Sequence, residues 1–402
     1  MPGPWTPTLH EGAVRLGAWL PFAQAARLLA AFAHTALSEP TVRRQTEAAG
    51  AAYVALQAAA AEDEARGAAA PPPGPPVLQL SVDGAMVPLV GGAWAEVKTL
   101  ALGLVEAQGD GAAPRASHLS YFSRLADHAT FARLALAETA RRGVGEAGVV
   151  VALCDGAAWA QAFIDAHRPD AVRILDWCHA AGYLGQVAEA CFGADPAQAA
   201  RWLAAQTREL LEGDPDRVLG KLRGLREGLA PSADPAAQAK HRVVATSLQY
   251  LEARRDQIQY AAFRAAGYPI GSGAVESANK LVVEARLKGA GMHWARPHVD
   301  PMLALRNIAC ADRWGEAWPA ITAELRRQAR ARLRRTRAAR RPAAPAPPPR
   351  TPLAPPAPAC VLALPTGRHE DGPPAPPTAA TRPAAPRPAP THPWRRYPAT
   401  VK

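Results

Sequence analysis

The run GVVVALCDGAAWAQAFIDAHRPDAVRILDWCHAAGYL (148–184) reads as strand, loop, helix, strand and the opening of a further helix. Its two apolar runs, VVVALC and AVRIL, are continuous rather than alternating. That pattern belongs to strands buried on both faces. An acid follows each run: Asp155 after the first, Asp176 after the second. A lone carboxylate beside a buried strand is costly to desolvate, so its placement asks for a reason.

Working outward, VLQLSVDGAMVPLV (77–90) and WAEVKTLALGLVEA (94–107) read as strands joined by a turn at Gly91-Gly92. A third strand is expected within ASHLSYFSRLADH (116–128), then a helix over TFARLALAETARRGV (130–144). Residues 182–265 carry only helical pattern, broken by GDPDRV and APSADP. The expected fold class is therefore α/β, a mixed sheet over about 77–325 with an all-helical block at about 182–265. Residues 1–66 read as helical. Within them Ser38 suits a cap, Pro40 a first turn and Gly50 a stop, so SEPTVRRQTEAAG (38–50) with Arg43 and Arg44 outlines a helix-turn-helix. A plain helical hairpin with a solvated basic face fits the same residues. GAAAPPPGPP (67–76) reads as a linker. Residues 326–402, rich in Arg, Pro and Ala, read as a disordered tail.

The 402-residue chain carries a formal charge of +11, unevenly spread. From Arg326 onward, 15 Arg and one Lys face only Glu370 and Asp371, a formal +14, which leaves residues 1–325 at −3. A nucleic-acid case for the body must therefore rest on local patches. No apolar run approaches the roughly 20 residues of a membrane span. The N-terminus lacks a signal-peptide pattern, so a cytoplasmic protein is expected. Five scattered cysteines without a CxxC pair argue against a zinc module or a disulfide framework.

Asp83 lies within the first strand, Asp155 ends a buried one, and Glu276 begins a late helix in GYPIGSGAVESANKLVVEARLKGAG (267–291). Only the fold can bring these three together. Gathered, they suit Mg²⁺ or Mn²⁺, which take carboxylate oxygens and bridge them to phosphate. Two such ions activate an attacking hydroxyl and stabilise the leaving oxygen of a phosphodiester. In this reading Gly271 and Gly273 allow a tight turn and Ser272 caps the helix. Val275, Ala278, Val282 and Ala285 face the core, and Arg286 and Lys288 reach phosphate. The simpler readings are Asp-Gly turns at 83 and 155 and an i, i+4 pair of Glu276 with Lys280. Asp176 and His179 read as a helix cap and a structural or phosphate-facing imidazole, since no further Cys or His supports zinc. A nucleotide site at GSG is disfavoured, because the GxxxxGK[ST] spacing is missing.

GYPIGSGAVESANKLVVEARLKGAGMHW (267–294) with VDPMLALRNIACADRWGEAW (299–318) closely resembles the C-terminal signature of bacterial insertion-sequence transposases of the ISKra type. These are DDE enzymes related to the Mutator-like group. The resemblance implies an RNase H-like catalytic core, with Asp83, Asp155 and Glu276 as catalytic, metal-holding acids and with two ions expected. It places Asp176 and His179, in DWCH, near the site, and makes 182–265 the helical insertion. It further implies cleavage and strand transfer on double-stranded DNA by a homodimer or larger assembly, in a bacterial nucleoid setting. Arg43, Arg44, Arg286 and Lys288 become the expected DNA contacts, and Trp294 either stacks on a base or packs in the core. A catalytically silent DNA-binding descendant and a Mg²⁺-dependent host nuclease of the same fold are the alternatives. The tail has no counterpart in the family. Its arginines suit a nonspecific DNA tether, but a frameshifted element end is the preferred account.

Overall fold

The expected hairpin forms from β1 (Val77–Pro88) and β2 (Trp94–Glu106). It turns through Gly91 and Gly92, whose φ values of 89° and 80° would strain any side chain. β3 (Arg115–Arg124) pairs antiparallel with β2. Asp127 caps α4 (His128–Arg141) through Thr130 N, and the chain continues into β4 (Val149–Cys154), α5 (Ala158–His167) and β5 (Val172–Leu175). The strand order is β3-β2-β1-β4-β5, with β1–β4 and β4–β5 parallel. The two continuous apolar runs are thus the parallel strands. The computed structural model describes residues 6–67, 72–106, 114–229 and 234–339.

Alternation along β1 sorts its side chains between two cores. Leu78, Leu80 and Val82 pack with Phe131 and Ala135 of α4 and Phe163 and Ile164 of α5. Ala85 and Val87 face the other way, toward the 275–287 segment and α13 (Arg296–Cys310). On the β4–β5 side, Leu153 and Ile174 pack against the helical block. That block comprises α6 (Trp177–Phe192), α7 (Pro196–Glu212), α8 (Pro215–Gly228), α9 (Pro235–Glu252) and α10 (Tyr260–Ala265). Asp195, Asp214 and Asp234 each cap a helix that opens on proline, which explains the breaks at GDPDRV and APSADP. The block shares its core with the sheet instead of forming one of its own.

Three expectations change. First, the N-terminal region has α1 (Pro7–Trp19), α2 (Phe22–Phe32) and α3 (Glu39–Ala65), and α3 runs straight through Gly50. Gly50 is there for contact: a Cβ would lie 2.1 Å from Pro301 O of α13. Val14, Ala49 and Tyr53 share a core with Leu305, Ile308, Trp314 and Ile321, so 1–66 is not a body apart. Second, the linker is only partly free. Residues 68–71 lie outside the described residues, but Pro75 O and Pro76 O accept hydrogen bonds from Gly148 N and Val149 N. Third, the tail does not begin at 326. α14 (Trp314–Ala339) continues through LRRQARARLRR, because Leu, Gln, Ala and Arg all favour helix and no proline intervenes. The rest of the tail lies outside the described residues. Among the described residues, no helix is long and apolar enough to cross a membrane.

Candidate active site

The parallel register lines up the acids. Ser81 pairs with Leu153, so two residues further on Asp83 comes level with Asp155, on strands about 4.8 Å apart. Cys154 pairs with Leu175, so Asp155 comes level with Asp176. Three neighbouring strands therefore deliver an aspartate at one edge of the sheet. Such carboxyl ends are where open α/β sheets commonly place their chemistry.

Asp83 is in mid-strand, opposite Thr99, and is no turn. Its Oδ1 accepts from Gly84 N at 2.7 Å and its Oδ2 from Asn279 Nδ2 at 2.8 Å. Asp155 does start a turn, with Oδ1 accepting from Ala157 N at 2.8 Å. Gly156 follows at φ 79°, and a Cβ there would lie 2.4 Å from Arg254 Nε. The end of the helical block grips this turn: Tyr250 Oη donates to Asp155 O, and Arg254 Nη2 donates to Gly156 O at 2.6 Å. The helical block thereby sets the backbone at Asp155.

Asp176 is buried, 1% exposed, and joins three segments. Its N–H donates to Cys154 O at 2.9 Å, its Oδ2 accepts from His179 N and His179 Nδ1 at 3.0 Å, and its Oδ1 accepts from Ser272 N at 2.6 Å. Trp177 N adds a bond to Ile270 O at 3.0 Å. The loop before Glu276 is thus fastened to the start of α6. Ser272 Oγ then donates to Glu276 Oε1 at 3.0 Å. Gly271 and Gly273 do not supply the tight turn; the positive φ values of this stretch belong to Gly267 and Gly291.

Glu276 sits in α11 (Gly273–Ala278), which passes into a π-helical turn (Asn279–Glu284) and then α12 (Ala285–Leu287). π-turns inside helices are frequent at functional sites. This one shifts the register of all that follows. Val275, Ala278 and Val282 are buried as expected, but Ala285 is exposed and Arg286 takes the inward place. At the turn's start Asn279, 6% exposed, bonds Asp83 while its Oδ1 has no partner.

Electrostatics tie the cluster together. Burial raises the proton affinity of Asp83, and the charge of Asp155 adds to this; the bonds from Gly84 and Asn279 and the nearby His179 oppose it. His179 lies above its ordinary value through its hydrogen bond to Asp176, against partial burial, with Asp176, Asp155 and Asp83 all favouring the imidazolium. For Asp176 burial disfavours the charge, but the bonds from His179 and Ser272 outweigh it and hold its value low. Neighbouring Cys154 is pushed up to about 11 by burial, an inert thiol. Among the described residues, Asp83, Asp155 and Glu276 form no ion pair with Lys or Arg. Nor do any three His, Cys, Asp or Glu side chains close into a ready-made metal cage there.

The expected DNA contacts fare unevenly. Arg286 is 2% exposed and stacks over Phe22 and Trp294 at 4.6 and 5.1 Å, with Nε donating to Gly17 O at 3.2 Å. Burial, then Arg306, lowers it to about 10. It is a packing cation and cannot reach a phosphate from there. Lys288 is ion-paired to Glu284 at 2.7 Å and Arg43 to Glu47 at 2.9 Å. Arg44 is exposed and has no ion pair among the described residues. Trp294 is a core residue, its Nε1 donating to Leu287 O at 3.1 Å. Ser272, expected as a cap, makes no side-chain cap bond and serves instead as a strut. Sequence reasoning puts Asn279 on the stripe of Glu276 without a role and passes over Tyr250 and Arg254. Asn279 alone had a signal, a buried-face amide one turn from the third acid. A scan of protein-family models finds no match to this chain, and a search of curated proteins also finds none.

Proposed function

We propose that this chain is a DDE-type transposase with an RNase H-like core, cleaving and joining DNA with the help of divalent cations. The observation that carries the reading is the tethering of the Glu276 segment to both neighbouring acids: Asn279 to Asp83 and Ser272 to Asp176. The order of three antiparallel strands, helix, strand, helix, strand agrees with the core that the resemblance implies.

The donor set fits Mg²⁺ or Mn²⁺. It offers hard carboxylate oxygens without a neutralising Lys or Arg, and Asp83 already carries the cost of burial beside Asp155. Asp83 and Asp155 would hold the ion, with Glu276 joining on release from Ser272 Oγ. When bound, such ions activate the attacking hydroxyl and stabilise the leaving oxygen. Asn279 and Gly84 orient Asp83 for this task, and the Tyr250–Arg254 grip orients Asp155. His179, exposed and biased toward its charged form, offers a donor to a phosphate oxygen. Asp176 acts through position, keeping the loop before Glu276 in place.

The test is a strand-cleavage and joining assay with Mg²⁺, using duplexes that carry the sequences flanking the coding region, with and without target DNA. Wild-type protein should nick and join. Asp155→Asn should lose both by a factor of at least about 10³, as for removal of a catalytic group, while retaining DNA binding. Cleavage without joining would identify a nuclease, binding alone a silent descendant, and full activity in Asp155→Asn would remove the assignment.

A further inference from the structure

The second half of α14 is a different kind of surface from the candidate site. Between Arg326 and Arg337 it carries seven arginines and no acid. All seven are exposed. Only Arg327 is ion-paired, to Glu324 at 2.6 Å; the other six have no ion-pair partner among the described residues. At about 100° per residue, Arg326, Arg327, Arg330, Arg334 and Arg337 fall within roughly one quarter to one third of the helix circumference. They form a stripe about 17 Å long.

The base of this helix is fixed. Trp314, Ala317, Trp318 and Ile321 are buried with α1, α3 and α13, so the arginines extend from an anchored element. Complementing the helix dipole would need only a cation or two in the last turn, not a stripe over three turns. Elsewhere in the body the cations expected to meet DNA are mostly engaged, with Arg43 and Lys288 ion-paired and Arg286 buried.

We infer that residues 326–337 of α14 form the principal described surface for the nucleic-acid backbone, taking phosphates of double-stranded DNA without reading sequence. Guanidinium forks match phosphate oxygens, and the stripe spans about five base pairs at 3.4 Å each. An anionic membrane is the poorer partner: Leu333 is the only large apolar side chain exposed along this stretch, too little for insertion. The inference names the DNA-holding surface for the proposed function but rests on the stripe, not on the acids.

Fluorescence anisotropy of the full chain with a 30-base-pair duplex of arbitrary sequence, without divalent ions and over a series of salt concentrations, tests it. Combining Arg326→Gln, Arg330→Gln, Arg334→Gln and Arg337→Gln should lower the slope of log K against log salt by about 3 to 4 and weaken binding at least tenfold at about 0.1 M salt. Removing four charges from the helical block instead, at Arg208, Arg217, Arg223 and Arg255, should leave the slope nearly unchanged. Equal losses in both variants, no loss in the first, or stripe-dependent binding to phosphatidylserine vesicles with none to the duplex would each overturn the inference. No cleavage is measured, so such a failure would leave the catalytic reading standing, and full activity in Asp155→Asn, which removes that reading, would leave this one standing.

Discussion

Asp83 and Asp176 lie one strand apart from Asp155 on either side, yet burial acts on them with opposite outcomes. Asp176 accepts bonds from His179 N, His179 Nδ1 and Ser272 N, enough to keep it charged. Its contribution to stability is present above the unfolded carboxylate value of about 3.9 and is lost as pH falls through the lower folded value. Asp176→Ala strands those donors and should cost about 2–4 kcal/mol in urea unfolding at pH 7. A loss below about 0.5 kcal/mol would show the strut to be dispensable. Asp83 runs the other way. Its raised value means that stability falls as pH climbs from the unfolded value through the folded one. Asp83→Asn should therefore be more stable than wild type at pH 7 without divalent ions. The new amide can donate to the partnerless Oδ1 of Asn279 once that side chain rotates. A less stable Asp83→Asn would contradict the unfavourable charge assigned to this carboxylate.

At the scale of elements, glycine shows how contact overrides propensity. Gly50 reads as a helix stop, yet α3 passes through it because Pro301 O leaves no room for a Cβ. Gly220, inside α8, has nothing within 4 Å of a built Cβ. Gly50→Ala should destabilise by about 1–3 kcal/mol through overpacking, and Gly220→Ala should stabilise by about 0.5–1 kcal/mol. Thermal melts of the two variants check both signs. The strands, with Asp83 inside one and Asp155 at the end of another, were legible because continuous and alternating apolar runs report burial directly. The register beyond Asn279 was not. An α-helical wheel puts Arg286 beside Glu276, whereas the π-turn carries it into the aromatic pair of Phe22 and Trp294. The grips on Asp155 and Gly156 come from Tyr250 and Arg254, about a hundred residues away, and no local pattern announces such partners.

At the scale of the whole molecule, the described N-terminal helices, sheet, α13 and α14 share buried residues, so they are not separate modules. Deleting residues 1–66 exposes the side chains of α13 and α14 that pack on Ala49, Ala52 and Tyr53. The shortened chain should show no cooperative unfolding transition by circular dichroism; a sharp melt would show the remainder to be a self-sufficient domain. The same integration places the acids, since β1, β4, β5, the helical block and the 270–279 segment all meet at one sheet edge. Titration of Mn²⁺ followed by electron paramagnetic resonance of the free ion tests that gathering most directly. Wild-type protein should take up Mn²⁺ saturably, and Asp83→Asn and Asp155→Asn should each weaken the uptake at least tenfold. Uptake unchanged in both variants, or no saturable uptake by wild type, would contradict a shared cation site.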